Sequence, residues 1–180
     1  VQQRFQISKR HARRVSLTSH RLFTACEKSW NLQLEDAETL HWACSLHEIG
    51  LAVSLSGYQK HGAYLLENAD LPGFSLEEQD RMSVLVRCHR KKISKKFFMG
   101  LPKKDQETTL RLAILLRIAT LLHRSRKDET AVIEQVVAKE NNLTLHFAKF
   151  DLINHPLQKT SLEQEAEYLK NVDFNLTFTS

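Results

Sequence analysis

The chain has 180 residues, of which 42% are apolar and 26% are charged, a balance typical of a globular protein. No apolar run approaches the roughly 20 residues that span a membrane, so we expect no membrane partner. The basic N-terminal residues have no apolar stretch behind them, and we expect no secretory signal. The net charge of +5 at pH 7 and the pI near 9.2 favour an anionic partner.

Cysteine and glycine usage narrows the chemistry further. The three cysteines form no CxxC pair, which indicates reduced thiols in a cytoplasmic protein. Loops that cradle phosphate groups need several glycines, but the chain has five in all and contains neither GxxxxGK nor GxGxxG. The first residue is Val1 rather than Met, which suggests a fragment or a processed product.

Apolar residues recur at helical spacing along most of the chain. The pattern predicts helices at about 9–29, 36–47, 57–68, 75–89 and 105–124. Ser75 with Glu78 three residues later predicts a capping box. The basic residues 91–104 contain Gly100 and Pro102 and predict a loop with a short helical turn.

The pattern changes after Lys127. Residues 130–138 and the alternating string LTLHFAKF flank the turn signal at 140–142, which predicts a hairpin. A helix is predicted at 161–171 and a final strand at 174–180. We therefore predict a mainly α chain, with a helical domain at 1–127 and a small α+β domain of β-β-α-β order at 128–180.

The string LHEIG at 46–50 places adjacent His47 and Glu48 at a helix end. It resembles the doublet of HD-superfamily phosphohydrolases, in which an earlier His and a later Asp complete a site for a divalent metal. Imidazole and carboxylate suit such an ion, which activates water for attack on phosphorus.

Longer strings resemble the C-terminal half of the Ppx/GppA family of exopolyphosphatases and guanosine pentaphosphate phosphatases. They are HARRV at 11–15, SGYQKHGAYLLENADLPGFSLEEQ at 56–79, LVRCHRKKI at 85–93 and LRLAILLRIATLLHR at 110–124. The resemblance implies an HD-like helical domain at 1–127. It also implies an N-terminal pair of actin-like catalytic domains, whose motifs do not occur in this sequence.

The resemblance therefore implies an accessory role for this chain. We expect the C-terminal polyphosphate-binding and dimerisation region of a cytoplasmic bacterial exopolyphosphatase, which uses Mg²⁺ and acts as a homodimer. Its substrate is inorganic polyphosphate, and its partner is the missing N-terminal catalytic domain. No catalytic residue is expected in this fragment, which alone is predicted to be inactive.

The HD positions implied by the resemblance are altered. They are His11, His47, Glu48 and Thr120. Glu48 replaces the usual Asp of the doublet, and a threonine hydroxyl is a poor ligand for a divalent ion. We expect no bound metal and instead hydrogen bonds among buried polar groups, with His61 and His89 extending the cluster.

A basic cluster forms the expected polyphosphate-binding site. Its members are Arg87, His89, Arg90, Lys91, Lys92, Lys95 and Lys96. Like charges at this density repel one another unless an anion lies among them. The alternative is an ordinary solvated helix end and loop. Arg10, Arg13 and Arg14 form a weaker second patch.

Other functions remain open at this stage. The chain could be an altered HD-type metal phosphohydrolase acting on nucleotides, or a non-catalytic sensor of a guanosine alarmone. Specific nucleic-acid binding is not expected. His41, Cys44 and Glu48 lie at helical spacing that would suit zinc, although a buried cysteine beside a surface histidine is the more ordinary arrangement. The substrate of the parent enzyme could also be guanosine pentaphosphate.

Overall fold

The computed structural model describes residues 8–126 and 130–180. The first part contains helices α1 Lys9–Trp30, α2 Leu34–Leu46, α3 Tyr58–Asn68, α4 Leu76–Cys88 and α5 Lys103–Leu122, with short 3₁₀ helices at Ile49–Ala52 and Lys95–Phe97. The second part contains β1 Ile133–Lys139, β2 Asn142–Phe147, α6 Asp151–Asn154, α7 Pro156–Leu169, a 3₁₀ helix at Lys170–Val172, and β3 Asn175–Thr179. The prediction of a mainly α chain ending in a small α+β part is confirmed.

Local capping explains where several helices begin and end. The Ser8 hydroxyl accepts a hydrogen bond from the His11 amide at 3.4 Å, and α1 ends where Asn31 adopts φ 51°. At the start of α4, the Ser75 amide donates to Glu78 Oε2 at 2.7 Å, and the Glu78 amide donates to Ser75 Oγ at 3.2 Å. The predicted capping box is confirmed.

The core is built around α5. Leu112, Ile114, Leu115, Leu116 and Ile118 are all fully buried, because α5 packs against α1, α2, α4 and α7. Each such side chain stabilises the fold by about 1.5–3 kcal/mol relative to an exposed position. The same apolar cluster continues into the sheet and α7, so the helical part and the α+β part share one hydrophobic core.

The sheet has the order β1-β2-β3. Strands β1 and β2 form the predicted antiparallel hairpin, with Val136 opposite Leu145 and Glu140 in the turn at φ 49°. Strand β3 pairs in parallel with β2, and Leu143 lies opposite Leu176. Trp30 joins the sheet to α1, since its indole nitrogen donates to the Glu140 carbonyl at 2.9 Å.

The helix predicted from Ser161 was placed too late in the chain. Helix α7 begins at Pro156, because the fixed φ of proline suits the first helical turn. The short α6 before it was not predicted. Within the described residues, no helix is long and apolar enough to cross a membrane.

Gly50 lies in the 3₁₀ helix that follows α2 and lets this segment pack closely against α3. A Cβ at this position would lie 1.9 Å from the Tyr58 carbonyl oxygen, so only glycine permits the approach. This contact fixes the turn that follows His47 and Glu48, and it brings Tyr58 to the same end of the helical part.

Candidate functional site

A pocket of about 160 Å³ lies where the ends of several helices meet. His11 comes from the first turn of α1, His47 and Glu48 from the end of α2, and Thr120 from the last turn of α5. The ligand atoms of His11, His47 and Glu48 lie within 4.8 Å of one another. The fold thus brings together the four altered HD positions, and His89 joins them in the lining. We call this the histidine pocket.

Two of these histidines have their tautomers fixed by carbonyl groups. His47 Nδ1 lies 2.7 Å from the Cys44 carbonyl oxygen, which can only accept, so Nδ1 carries the proton. His89 makes the same contact with the Val86 carbonyl at 2.7 Å, and its Nε2 accepts from the Tyr58 hydroxyl at 3.3 Å. No described residue donates to His47 Nε2, which is therefore an available acceptor in the pocket.

Burial keeps the histidines neutral at pH 7. It lowers the pKa of His47 from 6.5 to about 4. The pKa of His11 falls to about 4 as well, through burial first and then through the neighbouring His47 and Arg126. The pKa of His89 is also lowered well below its usual value, mainly by burial. The pocket therefore carries no positive charge from its imidazoles.

The positive charge beside the pocket carboxylate comes from Arg126. Its guanidinium forms an ion pair with Glu48 Oε1, and His11 Nε2 lies 3.7 Å from the same oxygen. The Arg126 side chain is 48% exposed, whereas that of Glu48 is 6% exposed. Burial raises the pKa of Glu48, and Arg126 opposes that shift.

Arg126 competes with a divalent metal ion for the carboxylate of the donor set. The Thr120 hydroxyl donates to the carbonyls of Arg117 at 2.9 Å and His89 at 3.2 Å, so it offers the pocket no anionic ligand. Arg126 is paired with Glu48 Oε1, so a metal ion at that oxygen would have to displace the guanidinium. Within the described residues, His11, His47 and Glu48 are the one cluster with metal-ligand spacing, and His41 and Cys44 belong to no such cluster.

Beside the pocket, α4 leads into the lysine segment, which we define as residues 90–96. Lys91, Lys92, Lys95 and Lys96 are exposed, and Lys95 forms an ion pair with Asp173. Lys91, Lys92 and Lys96 have no ion pair with any residue that the structure describes. Three ammonium groups in this segment are thus available to an anion.

The other members of the predicted basic cluster have different surroundings. The Arg87 guanidinium carbon lies 4.6 Å from the centre of the Phe97 ring, and that of Arg90 lies 4.6 Å from the centre of the Tyr58 ring. His89 is buried in the histidine pocket rather than on the lysine segment. His61 is half-buried on α3 and does not line the histidine pocket.

A second pocket, of about 350 Å³, separates the lysine segment from α7. It shares His89, Arg90 and Arg124 with the histidine pocket and adds Lys91 at its rim. Helix α7 contributes polar side chains to its wall, namely Thr160, Ser161 and Gln164. The two pockets are therefore neighbours, with two arginines at their border.

Sequence reasoning missed Arg124 and Arg126. Both lie in the basic string at 124–127 just after the end of α5, and that string was the available signal. The Arg14 guanidinium, from the second basic patch, donates to the Arg126 carbonyl at 2.8 Å and holds this turn against α1. Arg10 and Arg13 of the same patch are exposed, and Arg13 lines a separate groove between α1 and α2.

Comparison with known proteins identifies the family. A family model described as Ppx/GppA phosphatase, domain III, matches residues 1–166. The chain is 30% identical over 174 residues to a guanosine-5'-triphosphate,3'-diphosphate pyrophosphatase of Pseudoalteromonas translucida, covering 96% of this chain and 35% of that protein. It is 32% identical over 170 residues to a protein of the same name from Photobacterium profundum. That match covers 92% of this chain and 33% of the relative.

The chain belongs to the Ppx/GppA phosphatase family and corresponds to its domain III. This confirms the resemblance seen in the sequence strings. The chain spans about a third of the length of the curated relatives that it matches.

Proposed function

We propose that this chain is the part of a Ppx/GppA phosphatase that binds the phosphate chain of inorganic polyphosphate on the lysine segment. Hydrolysis of the terminal phosphoanhydride bond would take place elsewhere in the enzyme, with Mg²⁺. The observation that carries the proposal is the exposure of Lys91, Lys92 and Lys96 without a described ion-pair partner. A linear polyanion would relieve the repulsion among these ammonium groups and release bound counterions.

The surroundings of the lysine segment support this assignment. Arg90 and Lys91 line the second pocket beside Thr160 and Ser161, whose hydroxyls can donate to phosphate oxygens. A buried side chain fixes the backbone of the segment, since Arg117 Nη2 donates to the Lys91 carbonyl at 2.7 Å. A fixed backbone lowers the entropy cost of ordering a binding surface.

The test compares two variants with equal net charge. The segment variant is Lys91→Gln/Lys92→Gln/Lys96→Gln, and the scattered control is Lys28→Gln/Lys60→Gln/Lys139→Gln, in which all three lysines are exposed. Binding of fluorescently labelled polyphosphate at low salt is measured by anisotropy. We expect the segment variant to lose affinity about tenfold or more and the control to change less than about threefold. Equal losses in both variants would reject the lysine segment as the binding surface.

A second candidate substrate is guanosine pentaphosphate. The observation that favours it is the name of the two relatives, which refers to a guanosine nucleotide with a 5'-triphosphate and a 3'-diphosphate. Competition separates the two candidates. If polyphosphate is the ligand, the nucleotide displaces labelled polyphosphate no better than tripolyphosphate does. Displacement at a tenth of that concentration or less would favour the nucleotide.

The altered HD metal phosphohydrolase is the weaker alternative, because the Arg126–Glu48 ion pair occupies the carboxylate that such an enzyme would use. The proposed dimerisation role is a separate matter. We expect light scattering of the purified chain to give the mass of a homodimer, and a monomer at every concentration tested would remove dimerisation from the proposal.

A further inference from the structure

We propose that the histidine pocket binds a single phosphoryl group, either free orthophosphate or the end of a phosphate chain, with Arg126 in the charge-balancing place of a divalent cation. Binding of orthophosphate does not need Lys91, Lys92 or Lys96, because orthophosphate has no chain to lie along them. It follows from the size, the charge and the hydrogen-bonding groups of the pocket.

The size of the pocket favours a small ligand. At about 160 Å³ it lies below the roughly 300–1,000 Å³ of pockets that hold drug-sized molecules. A tetrahedral oxyanion fits within this volume. Leu51 and Leu55 contribute apolar side chains to its lining.

The charges of the lining favour an anion. Glu48 is the one carboxylate among the lining residues, and Arg126 pairs with it. Arg90 and Arg124 then supply two further guanidinium groups, and the structure gives neither of them an ion pair with a described carboxylate. Planar guanidinium groups match the geometry of phosphate oxygens and form bidentate contacts with them.

His47 adds a feature that selects for phosphate. Its side chain is almost fully buried, and its available Nε2 accepts a hydrogen bond but cannot donate one in the neutral form. Orthophosphate keeps at least one proton at neutral pH and can donate it to Nε2. Sulfate has no such proton, so its oxygens would face an unsatisfied acceptor and the Glu48 carboxylate. The pocket should therefore distinguish two anions of equal shape.

The border with the second pocket suggests how a chain end would enter. Arg90 and Arg124 line both pockets, and Lys91 lines the second pocket only. A terminal phosphate in the histidine pocket would leave the next phosphates beside these cations. Tripolyphosphate should then bind more tightly than orthophosphate, and the excess affinity should depend on Lys91.

The experiment is calorimetric titration of the purified chain with orthophosphate and with sulfate at matched ionic strength. Arg124→Gln is the test variant because Arg124 is exposed and its loss leaves the core intact. Arg21→Gln, also exposed but lining a different pocket, is the matched control. We expect orthophosphate to bind about tenfold more tightly than sulfate, with about fivefold weakening in Arg124→Gln and no change in Arg21→Gln. Equal affinities for the two anions, or equal effects of the two variants, would overturn the proposal.

Two further arms separate the sources of the ligand and test the place of Arg126. Tripolyphosphate that binds more tightly than orthophosphate, with the difference lost in Lys91→Gln, identifies the chain end as the ligand. Equal affinities identify free orthophosphate, and both results support the pocket. Mn²⁺ is also titrated into the wild type and into the Arg126→Gln variant. We expect no saturable Mn²⁺ binding to the wild type. Saturable Mn²⁺ binding to the wild type that His47→Gln abolishes would contradict the proposal.

Discussion

The histidine pocket and the lysine segment are neighbours in the fold but differ in burial. His47, Glu48 and His89 are buried, whereas Lys91, Lys92 and Lys96 face solvent. Burial removes the charge from the histidines by lowering their pKa, and it makes the remaining carboxylate depend on Arg126. The three lysine side chains lie in solvent instead.

This difference separates the effects of the two regions on stability. A buried polar group costs free energy unless it is paired, so changes in the histidine pocket should alter the free energy of unfolding. Exposed charges contribute little to stability, so changes in the lysine segment should alter anion binding instead. The following predictions test that separation, from the largest expected effect to the smallest.

The largest effect is expected at Arg117, which lies beneath both regions. Its Nε lies 2.5 Å from Glu165 Oε1 and its Nη2 lies 2.9 Å from Glu165 Oε2, while it also donates to the Lys91 carbonyl. Arg117→Met leaves Glu165 buried without a partner and should lower the free energy of unfolding by about 3–5 kcal/mol. Urea denaturation measures the change.

The double variant Arg117→Met/Glu165→Leu is the control, because it removes both charges. It should be more stable than the single variant, since no uncompensated carboxylate remains. If the two variants have the same stability, the buried ion pair is not the source of the effect.

The next effect is a loss of stability at low pH, to which His47 contributes. The folded-state pKa of His47 is about 4, below the usual 6.5, so the folded state binds fewer protons than the unfolded state between these values. The contribution of His47 to the free energy of unfolding is fully present above pH 6.5. It is lost as the pH falls towards 4, and the loss is on the order of 3 kcal/mol. The lowered pKa values of His11, His89 and His123 act in the same direction, and the raised pKa of Glu48 acts against them.

Urea denaturation at a series of pH values checks this loss. His47→Gln should show a shallower fall between pH 6.5 and 4, whereas the segment variant should run parallel to the wild type. A free energy of unfolding that stays constant across this window would contradict the burial account.

A smaller effect is expected at Thr120. Thr120→Val removes the hydroxyl that donates to the Arg117 and His89 carbonyls and should cost about 1 kcal/mol. Thermal unfolding with and without Mn²⁺ provides the measurement. The cost should be the same in both conditions, and a cost that appears only with Mn²⁺ would indicate that Thr120 is a metal ligand.

The smallest effect is expected in the lysine segment. The segment variant should change the free energy of unfolding by less than about 0.5 kcal/mol, because its three side chains are exposed and make no described ion pair. Chemical denaturation at low salt checks the value. A loss of several kcal/mol would mean that the lysines stabilise the fold and that weaker polyphosphate binding reflects unfolding.

Much of the fold follows from local patterns. Helix α1 was predicted at 9–29 and occupies Lys9–Trp30, because the helix itself carries the apolar stripe and its caps, Ser8 and Asn31, directly flank it. The start of α7 was missed because Ser161 also looks like a cap, while the true start depends on Pro156. The parallel pairing of β3 with β2 could not be predicted, since alternation sets the faces of a strand and not its neighbour.

Part of the candidate site could also be located from the sequence, and part could not. The doublet of His47 and Glu48 could be located from a short string, and the resemblance linked it to His11 and Thr120. The ion pair between Glu48 and Arg126 joins residues 78 positions apart, so only the tertiary structure shows it. Burial of His89 and exposure of Lys92 could not be read from a run of basic residues either, because exposure depends on packing.

The most direct test of the binding role is the salt dependence of polyphosphate affinity, with phosphate release followed in the same samples. For the wild type, the logarithm of the association constant should fall linearly with the logarithm of the salt concentration. The segment variant should have a slope that is shallower by about 2, as expected for the loss of three phosphate contacts. Neither protein should release phosphate. Equal slopes for the two proteins, or metal-dependent release of phosphate by this chain, would contradict the account.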